Sequence, residues 1–246
     1  VKHLVAYITA GFPDVQLSID VALSLKENGV DTLELGIPFS DPVADGPVIE
    51  AANLQALQKG FKLEHLFEIS EQVAPNIDTL WMGYFNPFYH RGMDYFIAKA
   101  RHASVNGFII PDLPHEEAQG YKGLVEGAGL HLIDFVAPTH SRERIAMVAK
   151  ESQKFIYLVA YAGITGSGAA EDLAPTVEII RSVTQTPIYV GFGVDEKTAK
   201  AKAEGVDGVI VGSAFVRVLL DEGLTGTQKV SKISSLARTI KDVINS

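Results

Sequence analysis

Glu34 interrupts the apolar run Thr32-Leu33-Glu34-Leu35-Gly36 close to its C-terminal end. A carboxylate buried there costs several kcal/mol to keep charged, so it either pairs with a cation or takes a raised pKa. A raised pKa suits a carboxyl that gives and takes protons near neutral pH. A structural ion pair with a strand neighbour is the other outcome of the same position. Asp45 sits in Ala44-Asp45-Gly46-Pro47, where a loop ends and a helix starts. Asp-Gly-Pro is ordinary turn and helix-entry chemistry, and Asp41 before Pro42 reads as a turn residue in the same way. Glu34 and Asp45 draw attention as a pair because both border one loop, Ile37–Pro47.

Two further apolar runs end in small residues, as Val190-Gly191-Phe192-Gly193-Val194 and as Val211-Gly212-Ser213-Ala214-Phe215, the second running directly into a helical pattern. Small residues let backbone N–H groups approach an anion, and a helix N-terminus adds its dipole. Glycines that merely turn the chain would explain either loop alone. Neither loop contains Lys or Arg, which suits an anion site built from amides and the Ser213 hydroxyl.

The elements that must position these groups alternate from end to end. Apolar or β-branched runs occur at Leu4–Thr9, Thr32–Gly36, Thr79–Gly83, Gly107–Pro111, Leu132–Val136, Phe155–Ala160, Pro187–Gly191 and Gly208–Val211. They are nearly continuous in hydrophobicity, as parallel strands covered on both faces are. Amphipathic stretches separate them. After Asp14, a good N-cap, Leu17, Val21 and Leu25 repeat at helical spacing until Asn28-Gly29, and the last helix aligns Val230, Ile233, Leu236, Ile240 and Val243. Eight strand–helix units over 246 residues predict a single-domain α/β (β/α)₈ barrel spanning residues 1–246, with a doubly wound open sheet as the competing architecture. In a barrel, the two glycine loops follow strands seven and eight, a common phosphate position. The long connections Ile37–Pro47 and Tyr161–Pro175 then lie at the C-terminal rim, where such enzymes keep their chemistry.

Composition excludes several classes. With 21 Lys and Arg against 30 Asp and Glu, net charge −9, the chain is a poor partner for nucleic acid. A bound phosphate must be held by local geometry. The absence of cysteine removes disulfides, iron–sulfur clusters and thiolate catalysis. The longest apolar run, around Phe155 to Ile164, is about half of what a membrane span needs. The opening Val1–Ile8 faintly resembles a signal peptide but reads as a first strand, since no small-residue cleavage pattern follows. A cytoplasmic location is the expectation. The seven histidines are scattered; His115-Glu116-Glu117-Ala118-Gln119 lacks the second histidine of a zinc-binding HExxH, so no metal site is expected and His115 reads as a surface residue at a helix start.

The stretch Glu34-Leu35-Gly36-Ile37-Pro38-Phe39-Ser40-Asp41-Pro42-Val43-Ala44-Asp45-Gly46-Pro47 resembles the signature of tryptophan synthase α subunits. The other motifs come in that family's order: Tyr7-Ile8-Thr9-Ala10-Gly11, Asn86-Pro87, Pro111-Asp112-Leu113-Pro114, Tyr157, Gly163-Ile164-Thr165-Gly166, Gly191-Phe192-Gly193 and Gly212-Ser213. The resemblance implies retro-aldol cleavage of indole-3-glycerol phosphate to indole and glyceraldehyde 3-phosphate, with no cofactor in this chain. Glu34 would be the acid/base at the indole C3 and the glyceryl hydroxyl, Asp45 the group on the indole N–H, and Tyr157 the tyrosine beside the glutamate. Gly166, Gly193, Gly212 and Ser213 would cradle the phosphate. Tyr7, Met82, Tyr84 and Phe192 would sandwich the indole.

Gly163 and Thr165, in the loop around Gly163–Ala170, resemble the family's lid. The resemblance also implies an α₂β₂ complex in which indole passes to a β subunit carrying pyridoxal phosphate, with Asp41, Asn86, Tyr89, Asp112 and Pro114 near the interface. One departure is the start: about three residues precede the first strand, where the family carries a short helix, so the barrel floor is expected to be less covered. A stand-alone lyase releasing free indole, an allosteric activator of a β subunit, and another phosphate-binding barrel of aromatic amino-acid biosynthesis remain alternatives. Intact Glu34 and Asp45 speak against a pure activator, and the Glu34–Asp45 signature is not expected in the last.

Overall fold

The computed structural model describes residues 1–160 and 172–246. Strands and helices alternate: β1 (His3–Thr9), α1 (Val15–Glu27), β2 (Thr32–Gly36), α2 (Pro47–Gln58), α3 (Leu63–Val73), β3 (Asp78–Met82), α4 (Phe85–Arg91), α5 (Met93–His102), β4 (Gly107–Ile109), α6 (His115–Gly127), β5 (His131–Leu132), β6 (Asp134–Val136), α7 (Arg142–Glu151), β7 (Ile156–Val159), α8 (Ala174–Arg181), β8 (Ile188–Gly191), α9 (Ala199–Lys202), β9 (Gly208–Val211), α10 (Ser213–Leu220) and α11 (Gly226–Ile244).

All pairings among the described residues are parallel, in the order β5-β4-β3-β2-β1-β9-β8-β7-β6. The two edges of that order, β5 and β6, are separated along the chain by Ile133 alone, whose N–H donates to the Phe108 carbonyl (3.0 Å). They are the two halves of one strand, which pairs with β4 at its start and with β7 at its end. The sheet therefore closes on itself as a (β/α)₈ barrel, with helices packed outside it. The segment expected as Leu132–Val136 is split because neighbouring strands in a barrel are staggered, so no single stretch of it faces both partners.

Burial follows from closure. Every residue of β2 and β9 is buried, as is all of β1 beyond His3. One large apolar cluster joins these strands to α1, α3, α5 and α11. Helix punctuation is local: Asp14 accepts the Leu17 N–H (2.8 Å) at the head of α1, and Thr225 with Gln228 forms a capping box at the head of α11. In α11 the most deeply buried stripe is Ile233, Ala237, Ile240 and Ile244; Val230, Leu236 and Val243 are only partly buried.

At the barrel floor, away from the chain's C-terminal strand ends, Tyr189 stacks on His3 and Phe155, and Lys2 donates to the Val206 carbonyl (3.0 Å). Among the described residues no helix is long and apolar enough to cross a membrane.

One corner is held by charge. His115 opens α6 but is 9% exposed, which corrects its reading as a surface residue. Its Nδ1 lies 2.9 Å from Asp134 of β6 and its Nε2 3.0 Å from Glu151 of α7. Lys122 and Ser152 both donate to Asp134 Oδ2 (2.9 and 3.1 Å). A buried aspartate in an apolar strand needs such partners, and residues distant in sequence supply them.

Candidate active site

Parallel register places Glu34 between Tyr7 of β1 and Leu80 of β3. Its side chain points into a cavity of about 720 Å³ at the C-terminal mouth of the barrel, which Asp45, Tyr7, Tyr157 and Met82 also line. Glu34 is 2% exposed and its Oε1 has no hydrogen-bond partner among the described residues. Burial first, and the nearby Asp45 charge second, push its carboxyl up to about 8. Near neutral pH Glu34 therefore holds a proton inside an apolar wall, as a general acid should.

Asp45 stands just before α2, whose N-cap is Gly46 and whose first residue is Pro47. It is partly buried. Burial raises its carboxyl to about 6, against the hydrogen bond from Tyr84, which holds the charged form. The Tyr84 hydroxyl donates to Asp45 Oδ2 (2.9 Å) while accepting the Ala44 N–H (3.1 Å). Tyr84 itself is almost fully buried and stacks on Phe39 (centroids 5.4 Å apart). Its place is behind Asp45, fixing the loop that carries it. The two carboxyls thus differ in state near neutral pH, with Glu34 largely protonated and Asp45 largely ionised.

Two glycines make room for the tyrosines. A Cβ at Gly36 would collide with the Tyr7 ring, and one at Gly191 with the Tyr157 ring. Each ring lies across the neighbouring strand at the position where a side chain is missing. Tyr157 also stacks on Phe135 (4.7 Å) and lies 6.0 Å from the Phe192 ring. Burial raises the hydroxyls of both Tyr7 and Tyr157 well above the ordinary phenol value, so both remain neutral donors.

Gly193, Gly212 and Ser213 line the same cavity, Gly212 capping α10 and Ser213 starting it. A Cβ at Gly212 would press on Ile49 and Tyr7. Phe192 and Gly193 both adopt positive φ (72° and 66°), a backbone costing about 1–3 kcal/mol at a non-glycine residue, of a kind that clusters at functional sites. Gly163, Thr165 and Gly166 lie outside the described residues.

At the rim, Asp112 accepts the Phe85 N–H (2.8 Å) at the head of α4, the short helix that carries Asn86 and the largely exposed Tyr89. Asp41 is exposed, and Pro114 is the N-cap of α6.

Sequence reading missed several contributors. Phe135, Ile49, His140 and Arg217 also line the cavity. Arg217 sits one helical turn beyond Ser213, and that i, i+4 spacing is a signal that could have found it. The Tyr84–Asp45 bond spans 39 positions in the chain and has no local signal at all.

A buried, proton-holding glutamate and an ionised aspartate share one cavity at the C-terminal mouth of a (β/α)₈ barrel, an arrangement suited to an acid–base barrel enzyme. The family profile described as tryptophan synthase alpha chain matches residues 1–245, and the chain belongs to that family. It is 58% identical to the tryptophan synthase alpha chain of Wolinella succinogenes over 246 residues, covering 100% of this chain and 96% of that one. It is 40% identical to that of Dehalococcoides mccartyi, covering 99% and 96%. Among solved structures it resembles tryptophan synthase from Mycobacterium tuberculosis (TM-score 0.88, 32% identity, covering 100% and 93%) and the tryptophan synthase α₂β₂ complex of Pyrococcus furiosus (TM-score 0.83, 30% identity, covering 97% of each).

Proposed function

We propose that Glu34 and Asp45 carry the proton transfers of the α reaction, the cleavage of indole-3-glycerol phosphate to indole and glyceraldehyde 3-phosphate. Protonated Glu34 gives its proton to the indole C3 while ionised Asp45 takes the N–H proton, which leaves the reactive tautomer with a C2=N bond. Glu34, now ionised, takes the proton of the glyceryl hydroxyl beside C3. The C–C bond breaks, the aldehyde forms, and its electron pair runs through C2 to the ring nitrogen, which recovers its proton from Asp45. Both carboxyls return to their starting states, so the cycle asks for no electron sink or redox group.

The opposite protonation states of two acids in one cavity support this reading most. Tyr157, a neutral donor beside Glu34, steadies the carboxyl when it is ionised. Gly193, Gly212 and Ser213 hold the phosphate with backbone N–H groups and a hydroxyl, aided by the α10 dipole, and Gly166 would complete the cradle. Tyr7, Met82 and Phe192 form the walls for the indole, while Tyr84 serves through Asp45. The resemblance assigns Gly163 and Thr165, which lie outside the described residues, to a covering loop.

The partner is a β subunit in an α₂β₂ assembly. We assign pyridoxal phosphate to that subunit, the contact surface to the rim around Asp41, Asn86, Tyr89, Asp112 and Pro114, and the whole of residues 1–246 to one cytoplasmic catalytic domain.

The test is indole release from indole-3-glycerol phosphate by the purified chain, with and without a β subunit. Slow release that rises strongly with β is expected. Fast release indifferent to β would make the chain a stand-alone lyase. No release in either setting, with activation of β intact, would make it an activator.

A further inference from the structure

We propose that Arg217 is a binding residue for the substrate's phosphate, bringing a guanidinium to a cradle otherwise made of amides and one hydroxyl. The proposal rests on the reading of Gly193, Gly212 and Ser213 as that cradle.

Arg217 lines the same cavity as Gly212 and Ser213. In α10 it follows Ser213 by four positions and so shares its face, and long helical side chains lean back over the preceding turn, here toward Ser213. Its neighbours Ala214, Phe215, Val216 and Val218 are buried while Arg217 is exposed, so the helix turns its charge to the mouth and its apolar side to the barrel. No hydrogen bond or ion pair engages the guanidinium among the described residues.

Asp195 is an acid in the same lining. Its Oδ1 is turned into its own loop, accepting from the Lys197 and Thr198 N–H groups (3.0 and 2.9 Å) and the Thr198 hydroxyl (2.9 Å). Lys202 donates to the Phe192 carbonyl (3.0 Å). A chain of net charge −9 repels an incoming phosphate dianion. A guanidinium at the mouth counters that repulsion locally and matches two phosphate oxygens with paired N–H donors.

The experiment compares the full chain, assayed with its β subunit, with Arg217→Gln, Arg217→Lys and Ser213→Ala. KM and kcat for indole-3-glycerol phosphate are measured together with inhibition by inorganic phosphate. Arg217→Gln is expected to raise both KM and the phosphate inhibition constant roughly five- to twenty-fold, as for a charge-assisted contact at a partly open site, with kcat within about two-fold. Arg217→Lys is expected to recover most of the loss, and the salt dependence of KM to flatten in the glutamine variant.

If Arg217→Gln leaves both constants unchanged while Ser213→Ala raises them, the cradle stands and the role of Arg217 falls. If neither variant alters phosphate inhibition, both readings fall. A loss confined to kcat also overturns the proposal, since a phosphate anchor acts on binding.

Discussion

Replacing Glu34 with glutamine separates what this carboxyl does for chemistry from what it does to stability. The folded chain moves the Glu34 pKa from 4.5 to about 8, through burial first and Asp45 second. Between those values the folded state keeps a proton that the unfolded state releases. The unfolded state thus binds fewer protons across this window, and stability falls as pH rises through it. At ~1.4 kcal/mol per tenfold change, the complete loss is about 5 kcal/mol, with about 3 kcal/mol gone by pH 7.

Glutamine does not titrate. It brings N–H donors to a place where Glu34 Oε1 has no partner among the described residues, a penalty of about 1–3 kcal/mol that does not vary with pH. Relative to the parent, Glu34→Gln should therefore be no more stable at pH 5 and clearly more stable at pH 9. The change between the two is about 4 kcal/mol, or roughly 8–16 °C in Tm for a chain of this size. Thermal denaturation of both proteins at pH 5, 7 and 9 measures it, alongside a loss of kcat of about a thousand-fold for removal of the acid/base. A stability difference that stays constant with pH would refute the raised pKa, and retained turnover would refute the catalytic role.

Tyr84→Phe removes the hydrogen bond that holds Asp45 charged, so the acid limb of the kcat/KM profile, expected near 6, should move to higher pH while KM changes little; an unmoved limb would detach Tyr84 from Asp45. Gly191→Ala puts a methyl group into the Tyr157 ring, and should cost about 1–3 kcal/mol in urea denaturation as overpacking does, together with a fall in kcat; a silent substitution would show that the ring is free to move. Lys122→Met strips a buried cation from Asp134, which should destabilise the chain by about 3 kcal/mol. Adding Asp134→Leu should restore most of that loss, and failure to do so would mean that the corner is not held by this pair.

The alternation of strands and helices was legible because each element is written locally. A strand covered on both faces must be apolar throughout, so β1 and β9 stand out as unbroken runs, and Asp14 announces a helix by cap chemistry that depends on a few adjacent residues. Glu34 was legible for the converse reason: an acid inside such a run is anomalous wherever the strand goes. Ser213 and its glycines were legible because small residues before a helix form a local pattern.

Closure was not legible, since no periodicity records that β5 and β6 are halves of one strand. The state of the acids was not legible either. Glu34 takes a pKa near 8 because of the walls that β1, β3 and β7 bring around it, and Asp45 rises to about 6 because folding buries it, against a hydrogen bond from a tyrosine 39 positions away that holds its charged form. His115 shows the same limit, appearing superficial at a helix start until Asp134 and Glu151 arrive from β6 and α7. The sequence alone determined the strand–helix order, the family and the identity of the carboxyls, because these rest on local pattern. Only the tertiary structure decided which groups are buried, which share a cavity and which carry a proton, because desolvation and long-range hydrogen bonds arise only when distant segments are packed together.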